Sequence, residues 1–140
     1  MTGNKLCAVI IVAVLSSAAW TAVPATADGL PTLLATFGAT PAVYRVRPRV
    51  VELDQAEGGE LMLHWSSWTS TEATGSGTGE SFVASAINRY RAVVHASDPR
   101  HGRFTVLELT RAEGGRTYHE KLVLGNSIVG PSWTEQGDGS

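Results

Sequence analysis

The stretch Leu63-His64-Trp65-Ser66-Ser67-Trp68-Thr69-Ser70-Thr71-Glu72-Ala73-Thr74-Gly75-Ser76-Gly77-Thr78-Gly79 decides how this chain is read. Two tryptophans stand three residues apart, and the Gly/Ser/Thr run that follows carries no branched aliphatic side chain. Upstream, Leu61, Leu63 and Trp65 share one face of a period-2 strand, and Met62, His64 and Ser66 share the other. Continued alternation turns Trp68 away from Trp65, whereas a bulge at Ser66-Ser67 puts both indoles on the core side. The sequence leaves these two arrangements open. Residues 71–79 are expected to form a strand rather than a linker: threonine is frequent, and glycine leaves room for aromatic rings to lie flat on the backbone.

Working outward, Tyr44, Val46 and Val50 alternate with Arg45, Arg47 and Arg49. This predicts a half-buried strand that projects three arginines from one face, placed at a sheet edge by Pro48, which lacks an amide donor. Ala56-Glu57-Gly58-Gly59 reads as a turn. Residues 80–88 divide between a short helix capped by Ser81 and a loop or irregular strand. Further strands are expected over Arg89–His95, Phe104–Leu109 and Thr117–Leu124, with a short one around Ile128. A turn is expected over Ser97–Gly102, and a hairpin at Ala112-Glu113-Gly114-Gly115. The pattern E-L-x-x-A-E-G-G occurs at Glu52–Gly59 and again at Glu108–Gly115. Similar turn chemistry reached twice explains it more simply than duplication.

Short strands, frequent turn signals and scant helical periodicity predict an all-β fold, a small antiparallel β-sandwich or barrel of about six to seven strands. The expected limits are a flexible lead-in over 28–43, one domain over 44–133 and a frayed tail over 134–140. Trp65, Trp68, Tyr90, Phe104, Tyr118 and Trp133 are expected to dominate its core.

The N-terminus has the form of a secretory signal peptide. Lys5 precedes an apolar run from Leu6 to Val14, small and apolar residues continue to Val23, and Pro24 leads into the small-x-small pattern Ala25-Thr26-Ala27. Cleavage after Ala27 gives an exported chain beginning at Asp28. The alternative is a retained anchor over residues 6–23, which Ser16, Ser17 and Thr21 dilute. Cys7, the only cysteine, lies inside this segment. The mature chain then has no disulfide and relies on packing alone. Without Lys5, ten basic side chains face thirteen acidic ones, a net charge of −3. Charge this mild and scattered argues against nucleic acid as a partner.

The chemistry legible in the residues is sparse. His64, His95, His101 and His119 lack the close spacing of metal ligands, so no metal and no cofactor is expected. Serines are plentiful, but no G-x-S-x-G elbow occurs. A Ser/His/Asp site assembled across loops, as in a small exported hydrolase, is the alternative to the favoured reading. That reading is a non-enzymatic secreted or envelope binding module. Its candidate residues are Trp65 and Trp68 as a stacking face and Arg45, Arg47 and Arg49 as a cationic face, toward an envelope component, a carbohydrate or a protein.

The segment L-x-W-x-x-W-x(4)-A-x-G-x-G-T, here Leu63, Trp65, Trp68, Ala73, Gly75, Gly77 and Thr78, resembles small exported actinobacterial proteins. Gly114, Gly115 and Tyr118 are similar to the late G-G-x-x-Y hairpin of that group. Many of those proteins carry a cysteine pair after the Gly-Thr run, which this chain lacks. The resemblance implies export and a β fold, and no established activity.

Overall fold

A computed structural model describes residues 29–54 and 59–137. The signal-peptide reading, the Ala56-Glu57-Gly58 part of the predicted turn and the last three residues lie outside the described residues. The fold is all-β and antiparallel, as expected. Seven strands form one sheet in sequence order: β3 (Val50–Glu52), β4 (Glu60–Trp68), β5 (Ala73–Val83), β6 (Ala86–Arg100), β7 (Arg103–Glu113), β8 (Arg116–Ser127) and β9 (Gly130–Glu135). Two further strands, β1 (Leu33–Leu34) and β2 (Tyr44–Arg45), pair with each other. The large sheet curls around its inner face, where Leu61, Leu63, Val94, Leu107, Leu109 and Leu122 are buried.

The opening stretch explains the curl. Trp65 pairs with Gly75 and Ser67 with Thr74, so Ser66 is an extra residue in β4. This bulge shifts the alternation by one and brings Trp68, paired with Ala73, to the same face as Trp65. The two rings meet edge to face with centroids 4.7 Å apart, and Trp68 meets Phe104 in the same manner at 5.4 Å. The glycines of β5 sit beneath such rings. A methyl group at Gly75 would come within 2.9 Å of the Trp65 ring, one at Gly79 would overlap the Tyr90 ring, and one at Gly77 would collide with the Met62 carbonyl. The Gly-x-Gly-x-Gly alternation is therefore a floor that lets large side chains and the neighbouring strand approach the backbone.

Two predicted boundaries are corrected. The described part of the predicted flexible lead-in over 28–43, residues 29–43, is ordered against the domain, because Leu33 and Leu34 are fully buried. Thr32 bonds to Gly102 and Phe104, each at 2.9 Å, the Glu52 amide donates to the Ala35 carbonyl (2.9 Å), and the Trp133 indole donates to the Leu34 carbonyl (3.2 Å). This segment thus crosses the mouth of the curl from β3 to β7 and β9, so the described residues from Leu30 onward pack as part of the domain. The predicted frayed tail also begins too early, since β9 runs to Glu135. Of the six aromatic residues expected in the core, Trp68, Tyr90, Phe104 and Trp133 are buried, Trp65 packs half-buried against them, and Tyr118 is 42% exposed.

The uncertain residues 80–88 are strand, turn and strand, with Ala84 and Ser85 at φ 49° and 67°. The β7–β8 hairpin turns at Gly114-Gly115 as expected, both at positive φ. The two E-L-x-x-A-E-G-G copies join their strands over different lengths, seven residues between Glu52 and Glu60 and two between Glu113 and Arg116. The second ends in that tight turn, whereas the first spans the longer β3–β4 connection, in which the Leu53 amide donates to the Gly59 carbonyl.

Candidate functional site: the outer face of the sheet

The structure separates the residues proposed from sequence. Trp68 is 6% exposed and its indole N–H donates to the Pro31 carbonyl (3.0 Å), so it has no face to offer a ligand. Trp65 lies half-buried on the same inner face, its N–H donating to the Pro48 carbonyl (2.8 Å). The arginines do not share a strand. β2 ends at Arg45, Arg47 takes φ 51°, Pro48 is buried, and β3 starts only at Val50. The left-handed residue rotates the chain and breaks the alternation that would have aligned them. All three are exposed, but only Arg45 and Arg49 border the same shallow depression, together with Glu52.

Three of the four histidines stand on the outer face. His95 bridges Glu72 and Glu108, each ring nitrogen 3.2 Å from a carboxylate oxygen, and the His119 Nδ1 lies 3.1 Å from the Thr110 hydroxyl. His64 is exposed beside Ser76 in the β4–β5 register, and His101 occupies the β6–β7 turn. The hydrolase alternative needs a histidine against a serine hydroxyl. Among the described residues the partners found for histidine are glutamates and a threonine, and no cluster of three metal-ligating side chains occurs.

The same face carries a trough that sequence reading did not select. Ser76 and Thr78 of β5 are small, and taller side chains flank them on both neighbouring strands. Met62 and Val50 stand on the β3–β4 side, Arg91 and Val93 on the β6 side. Shallow depressions on the two sides share Gly77 and Thr78 and so adjoin, one bordered by Arg49 and His64 and the other by Thr110. Val50, Met62 and Val93 remain 41%, 44% and 50% exposed. Their signal in the sequence was a methionine and a valine on the polar side of otherwise alternating strands.

A second polar group sits on the inner face. Arg111 and Glu120, both largely buried, form an ion pair through Nη2 and Oε1, while Arg111 Nε and Glu120 Oε2 have no partner. The guanidinium also lies 5.4 Å from the centre of the Tyr90 ring and 5.9 Å from that of Tyr118. Burial raises the Glu120 carboxyl above its ordinary range despite the Arg111 charge and hydrogen bond, and pushes the Tyr90 phenol up to about 12. These positions follow the inward phase of Leu107 and Leu109 on β7 and of Leu122 on β8, so they are charges placed in core register.

No family model matches the chain, and neither a curated protein nor a solved structure matches it.

Proposed function

We propose that the chain is an exported, non-enzymatic interaction domain of the cell envelope or extracellular space, and that its binding surface is the outer-face trough along β5. The observation that carries this reading is the exposure of Val50, Met62 and Val93 around the low Ser76–Thr78 floor, with Arg49, His64 and Arg91 alongside. Apolar groups left exposed together on an otherwise polar face mark a contact surface. A protein partner fits better than a carbohydrate. The two tryptophans expected as a sugar-stacking face lie on the inner face, so the feature that favoured a carbohydrate is withdrawn.

The test is retention of the full chain by an envelope fraction, compared with a Met62→Asp/Val93→Asp double variant of unchanged circular dichroism. Wild-type chain is expected to be retained, protease treatment of the fraction to abolish retention, and the variant to be retained about tenfold less. Retention that survives protease and yields to glycan digestion replaces the protein partner with a carbohydrate. Equal retention of wild type and variant removes the trough from the reading.

A further inference from the structure

Strand β8 has an open edge. β7 covers one side of β8 in unbroken register, from Glu113 against Arg116 to Val106 against Val123. On the other side β9 pairs only from Leu122 to Ser127, and the last bond beyond it runs from the Gln136 amide to the Lys121 carbonyl (2.8 Å). Among the described residues no strand pairs with Arg116–Glu120 on that side. The Lys121 carbonyl also sets the phase: main-chain groups alternate between the two sides of a strand, so those of Thr117 and His119 point outward and those of Arg116, Tyr118 and Glu120 point toward β7.

We propose that this edge joins β8 of a second copy of the same chain, antiparallel and centred on Tyr118. The segment Arg116-Thr117-Tyr118-His119-Glu120 is self-complementary about its middle residue. Arg116 falls opposite Glu120 of the second copy and Thr117 opposite His119, while Tyr118 meets its own equivalent. Thr117 and His119 carry the outward amides and carbonyls, so these opposed pairs exchange main-chain hydrogen bonds in both directions, and Tyr118 occupies the closer, non-bonded pair between them. Moving the register to put Thr117 or His119 on the axis loses both Arg116–Glu120 pairs, so charge fixes the alignment.

Beyond Gln136 the described chain leaves this edge of β8 unpaired. Glu120 Oε2 is already covered within the single chain and has no donor there, so the second copy's Arg116 acts on this carboxylate as a cross-strand charge and not as a direct partner of Oε2. Tyr118, the exposed member of the expected core aromatics, is covered by the same contact. The product is one continuous sheet running through both copies, with two-fold symmetry.

Sedimentation of the full chain over a concentration series tests the inference, with Thr117→Pro and Arg116→Glu as variants. Proline at 117 deletes an outward amide and leaves the β7 ladder intact, so the fold is expected to persist while the dimer is lost. Arg116→Glu is expected to weaken association by about tenfold or more, since it sets like charges opposite each other. A chain that stays monomeric at all concentrations overturns the proposal, as does a dimer indifferent to Thr117→Pro. A monomer that dimerises only after residues 137–140 are removed gives the edge to the chain's own tail and equally overturns it.

Discussion

At one end of the inner face, nearest the β6–β7 turn, Trp68, Phe104, Leu107, Leu122 and Trp133 pack beneath the segment that carries Leu33 and Leu34. At the other, nearest the β5–β6 and β7–β8 turns, the same strands present Tyr90, Arg111, Tyr118 and Glu120. The first end is apolar and capped by a returning piece of chain. The second is partly charged, and Tyr118 is open to solvent. One sheet thus has an end that supplies stability and an end where Arg111 Nε and Glu120 Oε2 are buried without a hydrogen-bond partner. With no cysteine beyond residue 7, the capped end must outweigh the cost of the other without covalent help.

The largest test of this contrast is truncation at each end. Trp133→Ala empties a fully buried site and removes the indole bond to Leu34, so urea unfolding is expected to show a loss of about 3–5 kcal/mol. Tyr118→Ala, measured at low protein concentration, is expected to cost about 1 kcal/mol or less, because its ring is half in water before the change. Comparable losses at the two positions would mean that the ends do not differ in energetic weight.

The next test concerns the charges. Glu120 has a folded pKa raised above its unfolded value, so between those two values the folded chain holds the extra proton. Its contribution to stability is therefore most favourable below the unfolded value and declines as pH rises through the folded one. Arg111→Met removes the neighbour that lowers this pKa, and moves the window upward. The variant is expected to lose about 3 kcal/mol near neutral pH, where an uncompensated carboxylate is buried, and to recover much of that loss on acidification. The double change Arg111→Met/Glu120→Leu is expected to return near wild-type stability with a flatter pH dependence in chemical denaturation. A single variant whose loss is the same at acid and neutral pH would show that Arg111 acts by packing and not by charge.

How much of this was legible depended on whether a local pattern had only one physical solution. The Gly/Ser/Thr run read correctly as a strand, because glycine at every second position suits rings lying on it, and Gly114-Gly115 read correctly as a hairpin turn. The bulge was a recognised option that the sequence could not select, since Ser66 and Ser67 are alike and only tertiary packing of both indoles chooses which is extra. Leu33 and Leu34 were missed because two consecutive leucines show no period. Both are buried, one against each side of a short crossing segment, and only the finished curl creates that space. The outer trough was half visible: Met62 was placed on the polar face with His64, but its apposition to Val50 and Val93 depends on strand register. Arg111 and Glu120 resisted reading for a related reason. A charge in core phase counts as surface until its partner strand is known.

The smallest expected effect separates the two turns at the open end. Both are two-residue hairpin turns with positive φ at each central position, a conformation that glycine adopts freely and other residues only at a cost. The β7–β8 turn uses Gly114-Gly115, whereas the β5–β6 turn holds Ala84 and Ser85 in that region. The second turn therefore stores backbone strain that the first avoids, which is also why sequence reading saw one and missed the other. Ser85→Gly relieves the strain but gives the unfolded chain more freedom, and these oppose each other. The strain is the larger quantity for a residue with a Cβ, so a net gain of about 0.5–1 kcal/mol is expected in thermal or urea unfolding. Gly115→Ala is the reciprocal change, with an expected loss of similar size, because a methyl group there meets open space and only the backbone conformation resists it. If Ser85→Gly instead destabilises, the Ala84-Ser85 turn gains from its side chains more than the left-handed backbone costs, and the open end is better satisfied than its charges suggest.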